Sequence, residues 1–191
     1  MPVKHTNRKG DTYYLHQGRT KTGKARYFFS KDDKGELTEA VPKGYEIYED
    51  PNAQVFLRKK QPKLITGQEM KEVKDGIGKN ASVKQFKVEA KKNAIIVYLP
   101  DQDPQELSSL FSGFSMIGRK RAEEYAVRQI YYSPVLRFTL VDQAKRLFSA
   151  DRWCWRGSVD GWLNLYWRKK LPFLVKKLCP HLGKESFFDL I

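Results

Sequence analysis

The sequence predicts an α+β fold built mainly from antiparallel β-hairpins, with three to four helices between them. Short runs rich in aromatic and β-branched residues are separated by turns that contain glycine or asparagine, which is typical of hairpins. Thr66 and Asp103 each stand three residues before a glutamate, a spacing that indicates the start of a helix. A composition of 40% hydrophobic and 30% charged residues indicates a folded chain and argues against disorder.

Three segments are expected in order along the chain. Residues 1–11 are polar and basic and are predicted to be a flexible arm. Residues 12–62 are predicted to be a small four-stranded antiparallel β unit. Its two hairpins pair residues 12–17 with 25–30 and residues 45–49 with 55–59. Residues 63–191 are predicted to form a mixed α+β domain, which either stands apart or packs with residues 12–62 as one body.

The helices follow from capping patterns and apolar stripes. The first begins at Thr66, whose hydroxyl and the Glu69 carboxylate can each bond a backbone N–H at the helix start. Gly76 and Gly78 weaken helical backbone, and the helix is expected to end near them. Further helical stretches are predicted from Asp103, over residues 119–129, and over the apolar stripe Leu171, Leu174, Val175 and Leu178 before Pro180.

A third hairpin is predicted to join residues 86–89 to residues 94–99, with its turn at Lys91, Lys92 and Asn93. Residues 162–167 are compatible with either a helix or a strand. The terminal segment 187–191 is apolar enough to dock onto the body of the protein or onto a partner.

A further strand pair carries an open question of register. Residues 135–141 alternate apolar and polar side chains, and residues 147–156 are their expected hairpin partner. One register places Trp153 in the core and Arg152 outside, and a shift of one residue reverses both.

Charge is the main functional signal, because 36 Lys and Arg against 22 Asp and Glu give a net charge of +14. An excess of this size attracts nucleic acid, acidic proteins or other polyanions. We therefore predict a basic protein that binds nucleic acid or another polyanion. The residues expected to make the contacts form three clusters, Arg19, Lys21, Lys24 and Arg26, then Arg119, Lys120 and Arg121, and last Arg168, Lys169 and Lys170.

The first of these clusters lies at the tip of the first hairpin and is flanked by tyrosines and phenylalanines. Cations for phosphates beside aromatic faces for bases are typical of nucleic-acid sites. The same pattern also fits a purely structural interpretation, in which the aromatic side chains belong to the core and the lysines keep a turn solvated. Gly18, Gly23 and Lys24 have P-loop spacing, but Ala25 replaces the hydroxyl residue and a strand follows, so this motif is rejected.

A metal-dependent nuclease or nuclease-type toxin is the main catalytic alternative. Asp75, Glu89 and Lys91 have the residue types with which some nucleases hold magnesium and position water. His16 is a second candidate, as the acid or base of metal-independent RNA cleavage. Such patterns are common in a lysine-rich chain, so the sequence favours a protein without a catalytic site or a metal site. No cofactor is predicted, and magnesium enters only with the nuclease alternative.

A protein-interaction or scaffold subunit with an acidic partner is the third possibility. The tryptophans at 153, 155, 162 and 167 are expected to be mostly buried. One exposed tryptophan beside Arg156 or Arg168 would indicate a stacking or docking surface.

The sequence contains no run of apolar residues long enough to span a membrane and no secretion signal, so a cytoplasmic location without membrane association is expected. Cys154 and Cys179 are expected to be free thiols in a reducing compartment. The choice between DNA, RNA and protein as ligand, and the oligomeric state, stay open.

Overall fold

The computed structural model describes residues 1–80, 82–102, 128, 130–154 and 160–190. Within them the fold is α+β with mostly antiparallel strands, which confirms the predicted class. These residues contain two α-helices rather than three to four. The helical stretches predicted from Asp103 and over residues 119–129 lie, apart from Arg128, outside the described residues. The chain divides into two compact units, Met1–Gln61 and Pro62–Ile191.

The first unit contains two small antiparallel sheets. Strands β1 (Lys4–Thr6), β2 (Thr12–Arg19) and β3 (Ala25–Ser30) form one sheet in the order β1-β2-β3. Strands β4 (Tyr45–Glu49) and β5 (Val55–Lys59) form the other. Both predicted hairpins are confirmed, but their four strands do not form one four-stranded sheet. The third partner in the first sheet is β1, which comes from the predicted arm.

Specific polar contacts order the beginning of the chain. The Asn7 side chain is buried and donates to the carbonyl of Ala53 at 2.7 Å. The Arg8 guanidinium bonds Glu49 at 2.6 Å, and His5 Nε2 lies 3.2 Å from the other oxygen of that carboxylate. Residues 4–6 are a strand because they pair with β2, and the contacts of the neighbouring polar side chains with the β4–β5 hairpin hold this part of the chain in place, so it is not a flexible arm.

In its described residues, the second unit is a five-stranded antiparallel sheet with two helices. Its strands are β6 (Lys87–Lys91), β7 (Ala94–Pro100), β8 (Tyr132–Asp142), β9 (Leu147–Cys154) and β10 (Gly161–Lys170), in the spatial order β10-β9-β8-β7-β6. Its helices are α1 (Gly67–Asn80) and α2 (Leu171–Leu178), and 3₁₀ turns follow at Cys179–His181 and Glu185–Phe187. The undecided segment 162–167 is thus strand. Among the described residues no helix is both long and apolar enough to cross a membrane.

Both helices pack on one face of this sheet and close the core. The alternation in β8 holds, since Leu136 and Phe138 are fully buried against the helices. The predicted stripe of α2 is also confirmed, because Leu171, Leu174, Val175 and Leu178 are all buried. Burial of one such side chain contributes about 1.5–3 kcal/mol, so these contacts hold the helices to the sheet.

In the observed register of β9, Arg152 lies on the core side of the sheet and Trp153 lies on the opposite side. Leu136 pairs with Arg152, which puts the arginine on the helix side with 7% of its surface exposed. Trp153 lies on the other face, edge-on to Trp162 with 5.1 Å between ring centroids. Arg152 is tolerated inside because it donates to the carbonyls of Phe188 at 2.7 Å and Leu190 at 3.1 Å. The C-terminal segment therefore docks onto the body, as one of the two sequence expectations had it.

The start of α1 is confirmed, and the helix ends at Asn80, close to Gly76 and Gly78 as predicted. Thr66 N–H donates to Glu69 Oε2 at 2.9 Å, and Glu69 N–H donates to Thr66 Oγ1 at 3.2 Å, which completes the capping box. The helix then continues through Gly76 and Gly78 to Asn80. At Gly76 the neighbouring helix comes so close that packing, not helix termination, explains the residue.

The cap of α1 makes stability depend on pH through Glu69. Burial raises the pKa of this carboxyl, but bonds from Arg146 (Nε to Oε1, 2.9 Å) and Thr66 outweigh burial and lower it. A lowered folded pKa stabilises the fold above the unfolded value of about 4.3, and this contribution is lost as pH falls through the folded pKa.

We expect Glu69→Gln to lower the free energy of unfolding by about 1–2 kcal/mol at pH 7. The difference from the parent should shrink towards pH 3, as urea titrations at both pH values would measure. Asp75→Asn, in the exposed pair with Lys71, is the control and should change little. An equal loss at the two pH values would contradict this account.

Candidate nucleic-acid interface

The tip of the β2–β3 hairpin is a tight turn that projects cations. Thr20 N–H donates to the carbonyl of Lys24 at 2.8 Å, and Gly23, with a left-handed φ of 77°, donates to Thr20. The turn leads directly into β3, so no helix start faces it and the rejection of a P-loop stands. The four predicted contact residues at this tip are all exposed: Arg19, Lys21, Lys24 and Arg26.

One side of this hairpin carries a stack of rings beneath a cation. His16 and Phe28 are parallel to within 13°, with 5.2 Å between ring centroids. The Arg26 guanidinium lies 5.4 Å from the Phe28 ring, and Phe28 is 39% exposed. Gly18 is opposite Arg26, and an added Cβ would meet Phe28 at 3.6 Å. The other aromatic residues of β2 and β3 (Tyr13, Tyr14, Tyr27 and Phe29) are half-buried, so Phe28 is the most accessible ring of this hairpin.

The position of His16 favours a structural role. It is 7% exposed, stacked on Phe28, and its Nε2 lies 2.8 Å from the carbonyl of Asp32. That bond ties β2 to the turn after β3. An acid–base group must reach a substrate proton, and this ring is held away from solvent.

The nuclease candidates are not brought to one place. Asp75 lies on α1, exposed, where the bond from Lys71 lowers its pKa. Glu89 is in β6 on the sheet face away from the helices, and it accepts from Tyr98 Oη at 3.1 Å. Lys91 is the last residue of β6, not a turn residue. In the part of the chain that the structure describes, no three His, Cys, Asp or Glu side chains are grouped as metal ligands would be.

The face of the sheet opposite the helices holds a polar cluster that the sequence does not reveal. The Arg137 guanidinium lies 4.4 Å from the Trp162 ring and donates to Asp151 Oδ2 at 3.1 Å. Asn164 donates to Asp151 Oδ1 at 2.8 Å, so this 7% exposed carboxylate has partners on both oxygens. The cluster joins β8, β9 and β10 across their shared face. Its two hydrogen-bonded pairs are 14 and 13 residues apart in the chain, which places them beyond any local pattern.

A second basic surface lies where β10 meets α2. Trp167 is 61% exposed and Phe173 is 41% exposed. Trp153 and Trp162 are half-buried, so the expectation that most tryptophans are buried is not met by the described ones. The predicted contact residues Arg168, Lys169 and Lys170 are all exposed beside them. Arg168 bonds Asp142 at 2.9 Å, and Lys170 Nζ donates to the carbonyl of Lys145 at 2.6 Å.

Helix α2 extends this surface with residues that lie outside the three predicted clusters. Phe173, Lys176 and Lys177 lie on its exposed side, at the spacing that places residues on one helix face. A signal was present in the sequence, because residues 161–184 contain six Lys and Arg and no Asp or Glu. Residues 12–31, which form the first basic surface, are likewise free of carboxylates.

The third predicted cluster, Arg119, Lys120 and Arg121, lies outside the described residues, as do Trp155 and Arg156. The two cysteines are free, and burial raises the pKa of Cys179 to about 12. A thiol with such a pKa is inert at neutral pH, which leaves Cys179 a packing role.

Comparisons with protein-family models, curated proteins and solved structures find no match for this chain.

Proposed function

We propose that the protein binds nucleic acid through the hairpin tip of the first unit and the β10–α2 surface of the second. The observation that supports this most directly is the absence of carboxylates from residues 12–31 and 161–184, which carry these two surfaces. A solvated surface without a ligand usually mixes both signs of charge. Although Asp142 pairs with Arg168 at the second surface, the excess of positive charge at both surfaces concentrates the field and attracts a phosphate backbone.

Exposed aromatic rings distinguish this proposal from simple solubility. Phe28 stands beside Arg26 at the first surface, and Trp167 stands beside Arg168 at the second. Lysine and arginine side chains need no aromatic neighbour to keep a turn solvated. Cations bind the phosphates of a nucleic acid, and aromatic faces stack on its bases.

Salt dependence tests the proposal. We expect affinity for a mixed-sequence oligonucleotide, measured by fluorescence anisotropy, to fall steeply with NaCl concentration. Lys21→Gln and Lys176→Gln should each weaken binding and reduce the log–log salt slope by roughly 0.7–0.9, the value for one phosphate contact.

Matched controls separate local contacts from total charge. Lys34→Gln removes an exposed lysine of the first unit that stands next to Asp33 and two residues before Glu36. Lys71→Gln does the same in the second unit, at a lysine paired with Asp75. Both should leave the slope nearly unchanged. Affinity that does not depend on salt, or four variants that behave alike, would contradict the proposal.

A further inference from the structure

Trp167 stands on an irregularity of the edge strand β10. Tyr166 pairs with Ala150 and Lys169 pairs with Phe148, so β10 advances three residues where β9 advances two. The extra residue forms a β-bulge that contains Trp167 and Arg168. Bulges of edge strands redirect side chains, and at this one Trp167 is 61% exposed.

The backbone of this bulge is held in an unfavourable conformation. Arg168 has φ of 54°, in the left-handed region where glycine is the residue without steric cost. An arginine persists there only if its surroundings determine the conformation. The bond from Arg168 to Asp142 and the bond from Lys170 to the carbonyl of Lys145 supply that constraint. The bulge is therefore anchored to the β8–β9 turn, and the Trp167 backbone is positioned before any ligand arrives.

Phe173 adds a second accessible ring to the same surface. It is edge-on to Tyr166, with 5.7 Å between centroids and an interplanar angle of 85°. Tyr166 thus supports one edge of Phe173, while 41% of the residue remains exposed. Large aromatic side chains left in water at neighbouring positions indicate a binding surface.

The charge around these rings indicates what they bind. Exposed cations flank them on both sides, Lys169 and Lys170 before α2 and Lys176 and Lys177 within it. An apolar protein partner would not require this charge. Duplex DNA would use the cations alone, because its bases are stacked inside the helix. Unpaired bases use both the rings and the cations.

We propose that the β10–α2 surface binds single-stranded nucleic acid, with bases stacked on Trp167 and Phe173 and phosphates on the flanking lysines. This inference rests on the proposed nucleic-acid-binding function and adds the strand state of the ligand. Every base has a ring face, so the surface should tolerate different sequences.

The test compares a thymidine oligonucleotide of about 15 nucleotides with a duplex of equal length, at one NaCl concentration. Trp167→Ala should weaken single-strand binding about tenfold and leave duplex binding and the single-strand salt slope unchanged. Trp167→Phe, which keeps a ring, should retain most of the affinity. Lys176→Gln should weaken both ligands, since it removes a phosphate contact. Circular dichroism of each variant checks that the fold is intact.

The outcomes separate the two proposals. If the parent binds neither ligand, the proposed function itself fails. If the parent binds both but Trp167→Ala binds single strands as the parent does, only the inference about base stacking fails. A change in oligomeric state by sedimentation in Trp167→Ala, with nucleic-acid affinity unchanged, would make the surface a protein interface and overturn the inference.

Discussion

Replacing Arg152 by alanine is expected to lower the free energy of unfolding by about 3 kcal/mol. The guanidinium lies on the core side of β9, 7% exposed, and it bonds the carbonyls of Phe188 and Leu190. Its removal leaves two acceptors at the sheet without their donor and opens a cavity beneath the C-terminal segment. Because Phe187 is only 3% exposed in that segment, detachment would also return a large apolar side chain to water.

Urea titration and limited proteolysis measure the two parts of this effect. The midpoint of unfolding should move to lower urea, and cleavage near the C-terminus should become faster than in the parent. Arg152→Lys should fall between parent and alanine variant, because an ammonium cannot span both carbonyls as the planar guanidinium does.

Arg19→Ala is the matched control for this prediction. It removes an arginine that is exposed at the hairpin tip, so its effect on stability should be small. If Arg152→Ala unfolded at the same urea concentration as the parent, the C-terminal segment could not depend on this residue.

Gly76→Ala is expected to destabilise the second unit by about 2 kcal/mol, although alanine is the better helix former. A Cβ at this position would lie 2.1 Å from Val175 Cγ1, well inside van der Waals contact. Val175 is β-branched and buried in α2, and in a helix such a side chain has one strongly preferred rotamer. Relief therefore requires α1 and α2 to move apart, and the cost of this outweighs the gain of about 1 kcal/mol in helix propensity.

Gly78→Ala provides the control within the same helix. Nothing lies within 4 Å of its added Cβ, so this change should stabilise the protein by about 1 kcal/mol. The two alanine variants should thus have effects of opposite sign in thermal or urea unfolding.

A second variant checks the cause of the loss at Gly76. In the double variant Gly76→Ala/Val175→Ala the close contact is gone. Its loss in free energy of unfolding should therefore be smaller than the sum of the two single losses by more than about 1 kcal/mol. Strict additivity would mean that the contact with Val175 does not cause the destabilisation.

Features that depend on residues a few positions apart could be predicted from the sequence. The paired hairpins, the Thr66–Glu69 cap and the α2 stripe all appear at the predicted places. Each depends on local hydrogen bonds or on side-chain periodicity, which the order of residues determines directly. The charge excess and its division into clusters are likewise properties of the sequence alone.

Only part of the candidate site could be predicted from the sequence. The sequence identifies the cations at the hairpin tip and at residues 168–170, but it gives no reason to expect Trp167 to be exposed. The bulge that exposes it has no glycine to mark it, because an arginine held by Asp142 occupies the left-handed position. Phe173 could not be assigned either, since its support is a ring in the preceding strand.

The sequence by itself determined the positions of the hairpins, the apolar stripes and caps of the helices, and the places where positive charge accumulates. Only the tertiary structure decided that Arg152 points inward while Trp153 points outward, that Gly76 is a contact point, and that residues 4–6 join a sheet. The physical reason is range. A period of two is satisfied equally by either face of a strand, and the choice is made by groups that lie 36 to 38 residues away in the chain.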